Sequence, residues 1–255
     1  MKLSSRKKHI TLLALAHIVL IAFLWQDHLN RDLFRFFNNS NQWPTLWANI
    51  TILGDGYLGA LALLTLAFVD TKRLNEILYF MFFAAILSTL FKVGFDILRP
   101  AALLRADAIH ITGPVLTRHS FPSGHSTTFF MYLFILWPCF NNRYARILLV
   151  AAAYLGAFSR IMVGAHWPAD ILGGFLTAGL ALIFSKYLLK KYNPAWSPGA
   201  QRFLLLLFLA AITGAFFYDT HYPGTKTLQY SLLLLLTGTV LFKARPLLKV
   251  TGHRG

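Results

Sequence analysis

The chain has 255 residues, 56% of them hydrophobic and 13% charged; soluble domains carry about a quarter charged residues, so an ordinary soluble globular protein is excluded and a membrane protein indicated. A formal net charge of +15 would point to nucleic acid in a soluble protein. Here the basic residues stand mostly in short stretches between apolar segments, where they set membrane topology, and no nucleic-acid partner is expected. The single cysteine, Cys139, excludes an intrachain disulfide and a cysteine-based metal site.

Eight apolar segments are predicted as membrane helices, at about 9–26, 46–69, 76–98, 122–138, 145–163, 170–189, 203–218 and 227–243. Most approach the roughly 17–25 residues that cross a bilayer. The fold class is therefore all-α, a polytopic membrane helical bundle forming one membrane domain. The first segment follows a basic start without a small-x-small cleavage site, and reads as an uncleaved membrane helix. His17 within it reads as a packed polar residue. In the second segment, Asp55 lies between two glycines, a pattern that favours close helix packing over a cleft-lining carboxylate. Trp25, Trp43, Trp47 and Trp167 suit the aromatic belt at the outer interface.

With the N-terminus in the cytoplasm, 16 of the 24 Lys and Arg residues fall on the inside and eight outside. Both termini are then cytoplasmic. The outer loops follow the first, third, fifth and seventh helices, and the longest, about 99–121, contains "RPAALLRADAIHITGPVLTRHS". Long ordered loops are often functional. Arg105, Arg118 and His119 in this loop are candidates to meet a head group or second phosphate, or simply the lipid surface.

Three polar blocks fall at the outer face. In "KVGFDILRP", Lys92, Asp96 and Arg99 are spaced i, i+4, i+7 and are predicted to form one stripe on the third helix, which Pro100 helps to end. Intramembrane charges usually face a cavity; the plainer alternative pairs Lys92 with Asp96. In "PSGH", Pro122 suits the first turn of a helix. Ser123 and Gly124 leave its backbone N–H groups open to an anion, and His125 sits in that turn. An ordinary helix start with a solvent-facing histidine is the alternative. In "SRIMVGAHWPAD", Arg160 closes the fifth helix, Gly164 permits a close turn and Pro168 starts the sixth. Asp170 follows His166 by four residues, a spacing that lets a carboxylate hold an imidazole N–H and fix its tautomer; a capping Asp beside an idle histidine is the alternative. Together the blocks describe a pocket for a multiply charged anion, most simply phosphate. A metal mechanism fits poorly, because Asp and Glu total nine in the whole chain and no two stand together here to supply oxygen ligands. Guanidinium and ammonium groups would instead neutralise the phosphoryl oxygens, and no cofactor is expected.

The motifs K-x6-R-P (Lys92 to Pro100), P-S-G-H (Pro122 to His125) and S-R-x5-H-x3-D (Ser159 to Asp170) resemble the three-part signature of the type 2 phosphatidic acid phosphatase superfamily, which includes bacterial membrane lipid phosphatases and soluble haloperoxidases. The resemblance covers about 92–170. It implies a six-span helical core, placed here at 1–191, with 192–255 an additional C-terminal helix pair in the same membrane domain. It implies that His166 attacks phosphorus to form a phosphohistidine, that Asp170 orients it, and that His125 acts as general acid. Lys92, Arg99, Arg160 and the backbone around Ser123 and Gly124 would hold the phosphoryl oxygens, with no metal. The expected activity is hydrolysis of a lipid phosphate or diphosphate at the periplasmic face of a bacterial inner membrane. Substrates of that class are undecaprenyl diphosphate, phosphatidic acid, phosphatidylglycerol phosphate and the phosphates of lipid A. One alternative is a lipid-to-lipid phosphotransferase using the same site. Another is a non-catalytic phospholipid-binding or transport protein, which would need the cations but not a His–Asp pair with a second histidine. Haloperoxidase activity is disfavoured, since that branch resembles soluble proteins.

Overall fold

A computed structural model of the chain describes residues 15–22 and 27–243. Most of the first predicted segment lies outside these residues; what is described of it is a helix over 15–22 (α1). The order continues with α2 (Asp27–Asn39), α3 (Pro44–Ile52), α4 (Gly56–Val69), α5 (Leu74–Phe95), α6 (Pro100–Leu103), α7 (Gly124–Leu136), α8 (Arg143–Met162), α9 (Pro168–Lys191), α10 (Pro198–Phe217) and α11 (Lys226–Lys243), with no strand among the described residues.

Four of these spans are long and apolar enough to cross a membrane, or five if α3 and α4, bent by 49° at their junction, count as one. Eight were expected; the first lies mostly outside the described residues, the eighth, α11, is not among these spans, and two others are interrupted. The second predicted segment is broken at 53–55, where Asp55 caps α4 by accepting from the N–H groups of Tyr57 and Leu58. The fourth contains only a 13-residue helix, α7, followed by a 3-10 turn at Trp137–Cys139.

Helix α7 packs against α8 and α9, and α5 runs along α9. Phe80, Phe130, Ile135, Ile161 and Trp167 are buried in this bundle. A second cluster joins α3 and α4 to α10 and α11 through Ile52, Leu58, Leu205, Phe208 and Leu233. Outward-facing Phe82, Leu90, Leu148, Ile183, Leu206 and Leu234 are exposed. In a bilayer such side chains meet lipid as apolar as themselves, so helix association rests on close packing and interhelical hydrogen bonds. Gly174 of α9 is one such point: a side chain there would strike Ser126 and the backbone of Ser123 and Thr127, so glycine lets the start of α7 approach α9.

At one end of the bundle the segment between α5 and α7 folds over the helices. It is fastened by Arg99 N–H to Thr117 O, Ser120 N–H to Ile97 O and Thr112 N–H to Val163 O. Amphipathic α2 lies at the same end. Its Asn38 amide donates to the carbonyls of His110 and Ile161, and Phe34 packs on Trp167.

Candidate active site

The three polar blocks meet at this end, but not all of their residues arrive as predicted. Helix α5 stops at Phe95, and Asp96 takes a left-handed conformation (φ 41°) with its N–H still bonded to Lys92 O. The expected helical stripe of Lys92, Asp96 and Arg99 is therefore not formed. Asp96 turns outward to pair with Arg118 and with His119, and does not pair with Lys92. Lys92 Nζ donates to His119 O at 3.0 Å. Arg99 is buried, its Nε donating to Arg118 O at 2.9 Å and Nη1 to Ala165 O at 3.2 Å. The cations of this block thus clasp the long loop and the turn that carries His166.

In the second block Pro122 stands before the helix rather than in it. Ser123 is the N-cap of α7, accepting from Ser126 N–H, and its own N–H donates to Asp170 O at 3.0 Å. The first-turn N–H groups of Gly124 and His125 have no partner within the helix and are the donors this terminus offers an anion. His125 is half-buried, and its Nε2 is fully buried without a hydrogen-bond partner.

The third block forms as its spacing predicts. Helix α8 ends at Met162, and Gly164 (φ 76°) lies against the backbone of His110 and Ile111, where a side chain would collide. Pro168 occupies the first turn of α9 and Asp170 its third position. His166 and Asp170 are each 2% exposed, with Nδ1 to Oδ2 at 3.1 Å. The same carboxylate oxygen accepts from Trp167 N–H at 2.9 Å and from Ser120 Oγ at 2.5 Å. Ser120 has no mark in the sequence: a serine 50 positions from Asp170 carries no periodic or motif signal. With Nδ1–H directed at the carboxylate, Nε2 bears the imidazole lone pair. Burial, then Arg99, Arg160 and Lys92, and also His125, hold His166 well below the ordinary histidine value. The imidazole therefore stays neutral, as a nucleophile requires.

Arg160 is 2% exposed and donates through Nη1 to Thr51 Oγ1 (2.7 Å) and Tyr222 OH (2.6 Å), while its Nε has no partner. None of the described ion pairs includes it. A buried guanidinium without a carboxylate, beside an unpartnered imidazole nitrogen, is uncompensated charge of the sort an anion relieves.

The remaining polar residues are structural or peripheral. Asp55 caps α4, and a cleft-lining role is not seen. Arg105 pairs with Asp107 at the exposed surface. His17 stacks on Phe175 and contacts Tyr154 OH, as a packed polar residue would. Trp167 is not a belt residue: it is buried and donates from Nε1 to Leu98 O. Trp43 is 66% exposed, and Trp25 lies outside the described residues. A cavity of about 300 Å³ behind Asp170 is lined by Asn30, Ile97, Phe121 and Trp167, and by neither site histidine.

A sequence model of the PAP2 superfamily matches residues 73–194. The chain is 39% identical over 92 residues to a lipid A 1-phosphatase of Rhizobium etli, a match covering 32% of this chain and 38% of that protein's length. It is 31% identical over 155 residues to an undecaprenyl-diphosphatase of Sulfolobus acidocaldarius, covering 58% of this chain and 72% of the relative. The crystal structure of Aquifex aeolicus LpxE superposes with a TM-score of 0.55 at 28% identity, over 62% of this chain and 95% of that one. The matched segment holds all three polar blocks, from Lys92 to Asp170, on a helical bundle shared with a solved relative, and this chain belongs to the PAP2 superfamily.

Proposed function

We propose that this protein hydrolyses a lipid phosphate or diphosphate through a phosphohistidine, without a metal ion. One observation carries the proposal: the neutral, carboxylate-held His166 lies within electrostatic reach of three cations and of His125, whose Nε2 is unpartnered. His166 Nε2 attacks phosphorus as the bond to the lipid oxygen breaks. His125, which burial and the same three cations hold below the ordinary histidine value, is protonated once the phosphate's negative charge offsets those cations, and gives that proton to the leaving oxygen. Water then attacks the phosphohistidine, His125 takes the water's proton, the P–N bond breaks and phosphate leaves. Lys92, Arg99, Arg160 and the N–H groups of Gly124 and His125 hold the phosphoryl oxygens as charge develops. Ser123 acts from one step behind, capping the helix that presents those donors.

An amphiphilic substrate is supported by the exposed Val93, Phe95 and Leu98, which flank Lys92 and Arg99 in the chain, and by Val115 and Leu116 of the overlying loop. The relatives' names support the phosphates of lipid A and undecaprenyl diphosphate as the first substrates to try; phosphatidic acid and phosphatidylglycerol phosphate complete the panel. Residues 1–191 form the phosphatase core and 192–255 belong to the same membrane domain. Charge asymmetry between the loops supports cytoplasmic termini and a site at the periplasmic face of an inner membrane.

The test is phosphate release from each lipid by purified protein in detergent, with and without EDTA. Turnover that survives EDTA, and a fall of at least about 10⁴-fold for His166→Ala in protein that still inserts, are the expected results. Near-normal turnover by that variant, or activity abolished by EDTA, contradicts the mechanism. Release that depends on an added acceptor lipid would instead indicate phosphotransfer.

A further inference from the structure

We propose that the α10–α11 hairpin completes the phosphate site, with Tyr222 as a positioning residue for Arg160. This rests on the phosphatase reading above and extends it to a region outside the segment that the family model matches, residues 73–194.

Arg160 reaches both of its hydrogen-bond partners outside that segment: Thr51 of α3, and Tyr222 in the turn between α10 and α11. Both bind Nη1. This fixes one edge of the guanidinium and leaves the edge that carries Nε, which is buried and unpartnered. The Nε–Nη2 edge is the one that takes two phosphate oxygens in parallel. The choice of partner matters electrostatically. A carboxylate at position 222 would fix the guanidinium equally well but cancel its charge, whereas a phenol accepts the N–H and leaves the full positive charge for the ligand.

The turn is built to hold that hydroxyl still. Tyr222 is 8% exposed, with its ring against the backbone of Gly113 in the long loop. Thr225 Oγ1 donates to Tyr222 O, Lys226 Nζ to Tyr218 O, and Gln229 Nε2 to the carbonyls of Ala215 and Tyr218. Tyr218 OH donates to Asp55 Oδ2 at 3.2 Å, and burial with the Asp55 carboxylate pushes this phenol up to about 12, so it stays a donor. Below the turn, Leu205, Phe208, Ile212 and Leu233 anchor the two helices in the cluster they share with α3 and α4. Both hydroxyls that grip Arg160 are thus set by one cluster.

The test compares Tyr222→Phe, Arg160→Ala and the double variant. Tyr222→Phe keeps the ring and loses the hydroxyl. It should lower kcat/KM about tenfold, the scale of one hydrogen bond to a charged group. It should weaken competitive inhibition by inorganic phosphate by a similar factor, with the thermal midpoint unchanged. In the Arg160→Ala background the same change should cost nothing further, since the group it positions is gone. Tyr230→Phe, on α11 itself, should match wild type. Tyr222→Phe within twofold of wild type on both kcat/KM and phosphate inhibition overturns the proposal, as does a full additional loss in the double variant. Direct titration of phosphate binding separates the two readings. A wild type that binds phosphate in a Tyr222-dependent way but hydrolyses no lipid sinks the phosphatase reading alone. An active wild type indifferent to Tyr222→Phe sinks this one alone.

Discussion

Two histidine–aspartate contacts lie at the same end of this bundle, each with Nδ1 3.1 Å from a carboxylate oxygen. His166 and Asp170 are each 2% exposed, whereas the side chains of His119 and Asp96 are 50% and 32% exposed. Distance alone would rank them equal. At the inner pair, water is excluded, Ser120 and the Trp167 N–H complete the carboxylate's hydrogen bonds, and three cations face the imidazole. At the outer pair, Asp96 is shared with Arg118 in solvent, where such contacts contribute little. What separates the two pairs is therefore what encloses them, because enclosure fixes tautomer, orientation and charge state together.

The same substitution at both aspartates gives the sharpest contrast. Asp170→Asn keeps the shape but can present an amide N–H to His166 and so favour the wrong tautomer; kcat should fall on the order of a thousandfold. Asp96→Asn sits in a left-handed conformation that asparagine tolerates. Its effect on kcat/KM should stay below about threefold, the smallest expected here, and losses of equal size at the two sites would break the comparison. Between these extremes, Ser120→Ala removes a buried donor from the Asp170 carboxylate and should lower kcat about tenfold, visible in a kcat assay with KM little changed.

The pH profile sharpens the comparison from another side. His166 is held below its ordinary value of 6.5, so the neutral form persists as pH falls through that value. The acid limb of kcat/KM governed by this group should therefore lie below pH 6.5, and a limb centred above it would show an unprotected imidazole. The sign of this group's contribution to stability follows: below pH 6.5 the unfolded chain binds a proton at His166 that the folded chain resists, so the His166 contribution falls on acidification.

Much of this architecture is legible in the sequence. Long apolar segments can only be helices in a bilayer, because each must satisfy its own backbone. The His166–Asp170 contact is equally local: Pro168 begins α9, and four residues bridge the turn before it to the helix's first turn. Less local expectations fared worse. The i, i+4, i+7 spacing of Lys92, Asp96 and Arg99 assumed one continuous helix, and the helix ends at Phe95. The 46–69 segment carries no charge except at Asp55, yet it breaks there because that carboxylate caps α4.

What the sequence by itself determined was therefore the helical class, the cations and histidines available at one end, and the His166–Asp170 pair closed within a helical turn. What only the tertiary structure decided was which hydroxyls complete them: Ser120 on Asp170, 50 positions away, and Thr51 and Tyr222 on Arg160, 109 and 62 positions away. The reason is physical. Contacts within one helical turn are set by covalent geometry, whereas a buried charge takes whichever hydroxyl the packing of distant helices brings to it, and no spacing along the chain encodes that choice.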